Sequence, residues 1–234
     1  MSRIAVAVAG FCIVLTGLTD VGFAQAPKKP MLIPEWGEVI SPPKGFKYKV
    51  QDEGLKLTLP SAAHDLSIEI NRMNAPRILQ PVQGDFSIQV KVSGVTHPGN
   101  QSVIPGRKPF CGAGLLVWQN ERNYVRLERA ALLNGGTLST YASWELRQNA
   151  QFVRQGRADE MPLTGADTWL RITRSGDTFS GEVSANGQDW KQLPAITLAG
   201  STRDLKVGIL AVNVTQAPFM PQFSELSLKP ATQE

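Results

Sequence analysis

The sequence predicts an all-β fold of two packed antiparallel sheets, and three observations carry that prediction. Apolar and polar residues alternate with a period of two, as in Phe86, Ile88, Val90 and Val92 against Ser87, Gln89, Lys91 and Ser93. Helical periodicity does not persist beyond a turn or two anywhere after the N-terminal segment. Glycine and proline number 21 and 16 of 234 residues, a frequency that suits many turns better than long helices. Hydrophobic residues make up 42% and charged residues 19%, which excludes a disordered tail and a helical membrane bundle.

Residues 1–24 read as a secretory signal peptide that precedes the fold. Arg3 supplies a minimal positive start, Ile4 to Leu18 an apolar run, and Gly22 with Ala24 the small pair before a cut after Ala24. About fifteen apolar positions are short for a bilayer span. An uncleaved N-terminal anchor is the competing reading. Export is therefore expected, to a secreted or periplasmic location, with no membrane span left after leader removal. Residues 25–35, rich in proline at Pro27, Pro30 and Pro34, read as a poorly ordered extended linker. One sandwich domain is expected over residues 36–229, with residues 230–234 as a tail.

Strand signals follow in order. Phe46, Tyr48 and Val50 alternate with polar residues, and Leu55, Leu57 and Leu59 repeat the pattern. Val95 to Phe110 is a long irregular stretch punctuated by Pro98, Gly99, Pro105, Gly106 and Pro109, of the kind that often carries function. Leu115 to Trp118 is apolar on both faces, as in a buried strand. Asn123 to Ala131 places Val125 and Leu127 inward and Tyr124, Arg126 and Glu128 outward. Thr140 to Arg147 does the same with Ala142, Trp144 and Leu146 against Tyr141, Ser143, Glu145 and Arg147. Trp169 to Arg174 and Phe179 to Val183 form a hairpin through Ser175, Gly176 and Asp177, and Asn186-Gly187 marks another turn. Leu205 to Asn213 and Phe223 to Leu228 close the set. About a dozen such strands make a sandwich or a barrel, and one-sided alternation favours two packed sheets.

Several reactive classes are excluded. Once the leader is removed Cys111 is the only cysteine, so neither an internal disulfide nor a cysteine-based zinc site can form. Cys111 opens an apolar strand and reads as a small buried hydrophobe. His64 and His97 are far apart, and no Gly-x-Ser-x-Gly elbow accompanies them. The net charge of +4 arises mid-chain, where arginines interleave with glutamates instead of forming a basic stripe, so no nucleic-acid partner is expected.

Certain segments resemble a known family. They are Trp36-Gly37-Glu38-Val39-Ile40, Asn74-Ala75-Pro76-Arg77-Ile78-Leu79, Gly84-Asp85-Phe86-Ser87-Ile88-Gln89-Val90, Ala113-Gly114-Leu115-Leu116-Val117-Trp118, Asn123-Tyr124-Val125-Arg126-Leu127-Glu128, Trp169-Leu170-Arg171-Ile172 and Val207-Gly208-Ile209-Leu210. Their order resembles the uncharacterised bacterial family of concanavalin A-like proteins that includes the regulation-of-enolase protein and β-xylosidase C-terminal domains. The resemblance implies a two-sheet antiparallel jelly-roll sandwich of the lectin/glucanase type. Its motifs are structural and leave lectin, glucanase and laminin-G-like activities open.

Carbohydrate recognition needs flat rings for C–H faces and bidentate polar groups for hydroxyls. Tyr124, Arg126 and Glu128 share one strand face, Tyr141 and Glu145 project from a neighbour, and Trp169 with Arg171 from a third strand. These seven residues form the expected ligand face of a non-catalytic, lectin-like module, with a carbohydrate or glycan-bearing envelope component as partner. A solvated face of cross-strand Arg–Glu pairs is the competing reading. Glycoside hydrolysis is the alternative function, through a cross-strand pair such as Glu128 with Glu145 or Glu182. Nearby arginines would lower carboxylate pKa values, whereas a general acid needs its value raised. No catalytic residue is therefore assigned. His64-Asp65 and Asp159-Glu160 do not make a calcium loop, and neither metal nor cofactor is expected. An envelope interaction module using the Val95–Phe110 loop and a Phe219-Met220 patch is a third possibility.

Overall fold

The computed structural model describes residues 30–52, 54–94, 97–154, 156, 161–201 and 204–230. The expected leader (1–24), linker residues 25–29, Asp159-Glu160 and tail residues 231–234 lie outside them. The chain opens with β1 (Leu32–Ile33) and β2 (Gly37–Ile40), then the hairpin β3 (Lys47–Gln51) and β4 (Gly54–Thr58). Short strands β5 (Leu66–Ser67) and β6 (Arg72–Met73) flank a 3-10 turn at Ile68–Ile70. Next come β7 (Arg77–Val82), β8 (Phe86–Ser93) and the long strands β9 (Phe110–Asn120), β10 (Asn123–Asn134) and β11 (Thr137–Gln148). The remainder are β12 (Gln151–Arg154), β13 (Thr168–Ser175), β14 (Thr178–Ser184), β15 (Trp190–Gln192), β16 (Ile196–Thr197), β17 (Leu205–Asn213) and β18 (Gln222–Pro230).

These strands build two antiparallel sheets, the jelly-roll sandwich that the alternation and the family motifs imply. The first sheet runs β1-β2-β7-β17-β9-β10-β11-β12. The second runs β15-β14-β13-β8-β18-β4-β3, with β16 beside β14. Inward positions interdigitate between them: Phe86, Ile88, Val90, Val92, Leu170 and Ile172 from the second sheet meet Ala113, Leu115, Val117, Val125, Leu127 and Trp144 from the first. Trp144 is fully buried and donates its indole N–H to the Pro194 carbonyl at 2.8 Å, so its polar handle is satisfied inside the core. Cys111 is buried, and burial pushes its thiol up to about 12.

One expectation about the N-terminal part is corrected. Residues Leu32 and Ile33 are not linker: they pair with Glu38 and Gly37, and Ile33 lies in the core. The pull of one buried isoleucine outweighs the surrounding prolines. The alternation of Phe46 to Val50 marks a strand, but β3 is an edge with no layer over it, and Tyr48 and Val50 are exposed. The Phe219-Met220 patch divides, with Phe219 in the core and Met220 exposed.

The family motifs prove to be joints. Asp85 accepts the Gly176 backbone N–H at 2.9 Å and so ties the start of β8 to the β13–β14 turn. Gly114 pairs with Glu128 across β9 and β10, and a Cβ there would run into the Leu127 carbonyl. Gly114→Ala is therefore expected to lower unfolding free energy by about 3 kcal/mol or more. Urea unfolding checks this, and a midpoint equal to wild type would show that the two strands can part without cost.

Candidate functional site

The outer face of the first sheet carries a second, smaller layer. Residues 60–75, containing β5, the 3-10 turn and β6, lie across it as a cap. Leu66 and Ala75 of the cap pack on Leu79, Leu116, Tyr124, Leu210 and Val212 of the sheet. The cap is anchored from below by Asn213, whose buried amide donates to the Pro60 and Ala217 carbonyls at 3.0 and 2.9 Å.

Alternation on β10 and β11 sends their polar residues to this face, and the register aligns them. Tyr124 stands opposite Arg147, Arg126 opposite Glu145, and Glu128 opposite Ser143. The competing reading of a solvated face is corrected here, and so is the placing of Tyr124 and Glu128 on an open ligand face: both are fully buried, and Arg126 is 4% exposed. These side chains do leave the inter-sheet core, but the cap covers them.

Under the cap, charges alternate in a chain. Arg126 donates from Nε to Glu145 at 2.7 Å and from Nη1 to the Leu66 carbonyl at 3.3 Å, with Asp65 3.8 Å away. Arg147 donates from Nη1 to the same Glu145 oxygen at 2.9 Å. Its Nε and Nη2 grip both oxygens of Glu69 on the cap, at 3.1 and 3.0 Å. Tyr124 donates its hydroxyl to the Leu66 carbonyl at 3.0 Å. The order Asp65, Arg126, Glu145, Arg147, Glu69 alternates in sign from one cap residue to the other.

A column of rings and cations runs beside this chain from β7 past β17 to β9, β10, β11 and β12. Arg77 stacks 4.3 Å above Trp118, Trp118 lies parallel to Tyr124 at 5.4 Å, and Arg147 sits 5.7 Å from Tyr124 and 3.9 Å from Phe152. Each such cation–ring contact contributes about 0.5–2 kcal/mol, more where water is excluded.

Glu128 is the exception to the pairing. Its nearest cation is Arg126 at 3.6 Å, and neither carboxyl oxygen has a hydrogen-bond partner among the described residues. Burial pushes its pKa up to about 7, with Glu145 and Asp65 adding to the rise against the pull of Arg126 and Arg147. Glu145 goes the other way, to about 2, because the two guanidinium groups outweigh its own burial. The expectation that arginine lowers both carboxylates therefore holds for Glu145 and fails for Glu128, where desolvation wins.

Beyond the cap the same face opens into a cavity of about 500 Å³. Its wall takes Asp65, Ser67 and Glu69 from the cap and Arg126, Tyr141, Glu145, Arg147 and Phe152 from the sheet. Ile104, Gly106, Arg107, Lys108 and Phe110 come from the long loop before β9. Of the seven expected ligand residues, Arg126, Tyr141 and Glu145 thus line the cavity, while Tyr124 and Glu128 lie outside its wall. Trp169 and Arg171 are not on this face at all. They project from the outer side of the second sheet, where Trp169 donates to Glu225 at 2.8 Å and Arg171 stacks on Trp190 at 3.6 Å. Lying on a different sheet, they cannot share a site with Tyr141, a correction that follows from strand order.

Asp65, Glu69, Arg107, Lys108 and Phe152 were missed as site residues by the sequence reading. Arg147 stood on the right face but outside the proposed set. Its signal was available in the continued alternation Tyr141, Ser143, Glu145, Arg147. The cap and loop residues carry no local periodicity, so only the fold brings them here.

The opposed carboxyls set a pH dependence. Folded Glu128 holds its proton up to about pH 7, whereas an unfolded glutamate releases it near 4.5, so stability falls as pH rises between those values. Glu145 contributes stability above about 4.5 that is lost as pH falls toward 2. Glu128→Gln is expected to remove the decline on the neutral side, worth on the order of 3 kcal/mol, and to melt above wild type at pH 8 but not at pH 5. Thermal unfolding at both values checks this; parallel profiles would mean that Glu128 is solvated.

Among the described residues no helix is long and apolar enough to cross a membrane. A comparison with curated proteins finds no matching sequence. Solved structures share the fold. A functionally unknown protein from Saccharomyces cerevisiae superposes with a TM-score of 0.67 at 17% identity, covering 85% of this chain and 98% of its own. The GH43 BlXynB protein from Bacillus licheniformis gives 0.55 at 13% identity, over 75% of this chain and 33% of the enzyme. The alginate lyase from Klebsiella pneumoniae gives 0.53 at 11% identity, over 80% of this chain and 85% of the lyase. At these identities the likeness is one of fold. The family model described as "Protein of unknown function (DUF1349)" matches residues 60–231, which takes in the cap and every strand from β5 to β18. The chain therefore belongs to the DUF1349 family, as its strand motifs imply.

Proposed function

We propose that this chain is an exported, non-catalytic carbohydrate-binding sandwich, and that the cavity beside the cap receives the glycan. The observation that carries the reading is the wall itself. The rings of Phe110, Tyr141 and Phe152 stand among carboxylates and guanidinium groups held in fixed geometry by the ion chain. Rings stack on sugar C–H faces, and planar charged groups take paired hydroxyls. Preorganised polar groups need no reordering when a ligand arrives, which favours binding. The names of the similar enzymes, a GH43 protein and an alginate lyase, support the same ligand class. The leader read over residues 1–24 supports an extracytoplasmic setting, with a glycan-bearing envelope component as partner.

Hydrolysis is the second reading, favoured by one observation. Glu128 and Glu145 share a face and have pKa values pushed apart to about 7 and about 2, the arrangement that divides acid and base roles in hydrolases. Glu128 lies outside the cavity wall, so it has no route to a leaving group, and we retain binding as the conclusion.

A glycan array on the full chain, followed by calorimetry, tests the reading. Selective binding is expected, reduced at least about tenfold by Tyr141→Ala and by Phe152→Ala, the loss that follows when a stacking ring is removed from a sugar site. Trp169→Ala on the other sheet is expected to bind as wild type. A flat array would overturn the proposal. Reducing-end release that disappears in Glu128→Gln would replace binding with hydrolysis.

A further inference from the structure

The loop that closes the cavity opposite the cap presents two adjacent cations, Arg107 and Lys108, and it presents them rigidly. Ile104-Pro105-Gly106-Arg107 forms a hydrogen-bonded turn, with the Arg107 N–H donating to the Ile104 carbonyl at 3.1 Å. Proline at its second position presets φ, and Gly106 at its third has φ +73°, the combination of a type II turn. The loop is fastened at both ends. Val103 donates to the Val214 carbonyl at 2.9 Å, Ser102 Oγ to the same carbonyl at 3.2 Å, and Leu133 N–H to the Pro109 carbonyl at 3.0 Å. A backbone held this firmly keeps two like charges side by side at the cavity wall.

The two cations differ from those deeper in the cavity. Arg126 and Arg147 are committed to Asp65, Glu69 and Glu145, whose three charges exceed their two. Arg107 and Lys108 are exposed, line the cavity, and have no ion pair among the described residues. The carboxylates that could have answered them across the cavity are already held by the buried guanidinium groups. The cavity thus has an inner wall whose carboxylates outnumber its guanidinium groups by one, and a rim with two positive charges that no ion pair answers among the described residues. Adjacent cations on a fixed turn repel each other modestly, and an anionic group placed between the rim and the cavity relieves that repulsion.

We infer that the glycan taken by this cavity is an anionic saccharide, its acidic group bound at the rim by Arg107 and Lys108 while its ring lies against Tyr141 and Phe152. The inference rests on the carbohydrate-binding reading and adds the ligand's charge to it. Both a uronic-acid carboxylate and a sulfate ester have the chemistry the rim recognises. Such a contact is partly exposed, so it is screened by salt.

The test compares three probes by calorimetry on the full chain: a galacturonic-acid tetrasaccharide, its methyl ester, and a sulfated glucan tetrasaccharide, with the array's neutral glycans beside them. The ester keeps the sugar and removes the charge. Binding of one of the charged probes at least about tenfold tighter than the neutral ones is expected, the size of one charge-assisted contact at a rim. Which charged probe binds separates carboxylate from sulfate recognition. The preference is expected to weaken from 50 to 300 mM salt and to vanish in the double variant Arg107→Gln with Lys108→Gln, whose loop backbone is untouched. Neither charged probe binding more tightly than the neutral ones, or a preference that survives the double variant, overturns the inference and leaves carbohydrate binding standing. No binding of any glycan, charged or neutral, removes the underlying reading instead.

Discussion

The ion chain Asp65–Arg126–Glu145–Arg147–Glu69 is the constraint on which the outer layer of this protein depends. Its middle three members belong to β10 and β11, and its ends belong to the cap, so it acts as a staple between a sheet and a segment with little regular structure of its own. The cap has only two short strands and one 3-10 turn, too little hydrogen bonding to hold a shape independently. Its apolar contribution, chiefly Leu66 and Ala75, seals one half of the sheet face. Removing Arg126 would leave the buried carboxylate of Asp65 without its counter-ion and Glu145 with one of its two, a loss of the order of 3–5 kcal/mol.

A buried ionic network is rarely the most stable way to fill a space, since packed apolar residues often do as well or better. What the charges contribute here is geometry. Arg147 holds Glu69 through two parallel hydrogen bonds and Glu145 through a third, and stacks on Phe152, so one side chain fixes the cap, the sheet and the aromatic wall together. The same enclosure explains Glu128. It sits beyond the reach of a hydrogen bond from Arg126, in space made available by Gly112, whose absent side chain would press on its carboxyl group. Its proton is the consequence of being inside the layer and off the chain.

Much of the fold was legible because alternation is a local signal. Phe86, Ile88, Val90 and Val92, and likewise Leu205, Val207, Ile209 and Ala211, are buried by rules that need only their own sequence and a facing sheet. Alternation told correctly which residues of β10 leave the core, but it could not tell that a second layer waits there. That knowledge lies in His64 to Ala75, a stretch whose residues become a cap only through contacts with strands far away in sequence. Nor could alternation state which sheet holds Trp169. Three strands with similar patterns look like neighbours until the order of pairing separates β13 from β10 and β11. The isolated pair Leu32–Ile33 failed for the opposite reason, since prolines around it gave a strong local signal that tertiary burial overrode.

The cap divides the outer face into a sealed half and an open half, and that division governs where function can reside. In the sealed half Tyr124 and Glu128 are spent on structure, although by residue type they look the most chemical. In the open half Tyr141, Arg126 and Glu145 keep one side toward the cavity and the other toward the sealed layer, which holds them still. The rim loop completes the arrangement with a turn whose shape is set by Pro105 and Gly106. A sandwich supplies such a face to many unrelated activities. What distinguishes this one is the segment stapled across it and the loop before β9, because those two decide how much of the face stays open and which charges line the cavity.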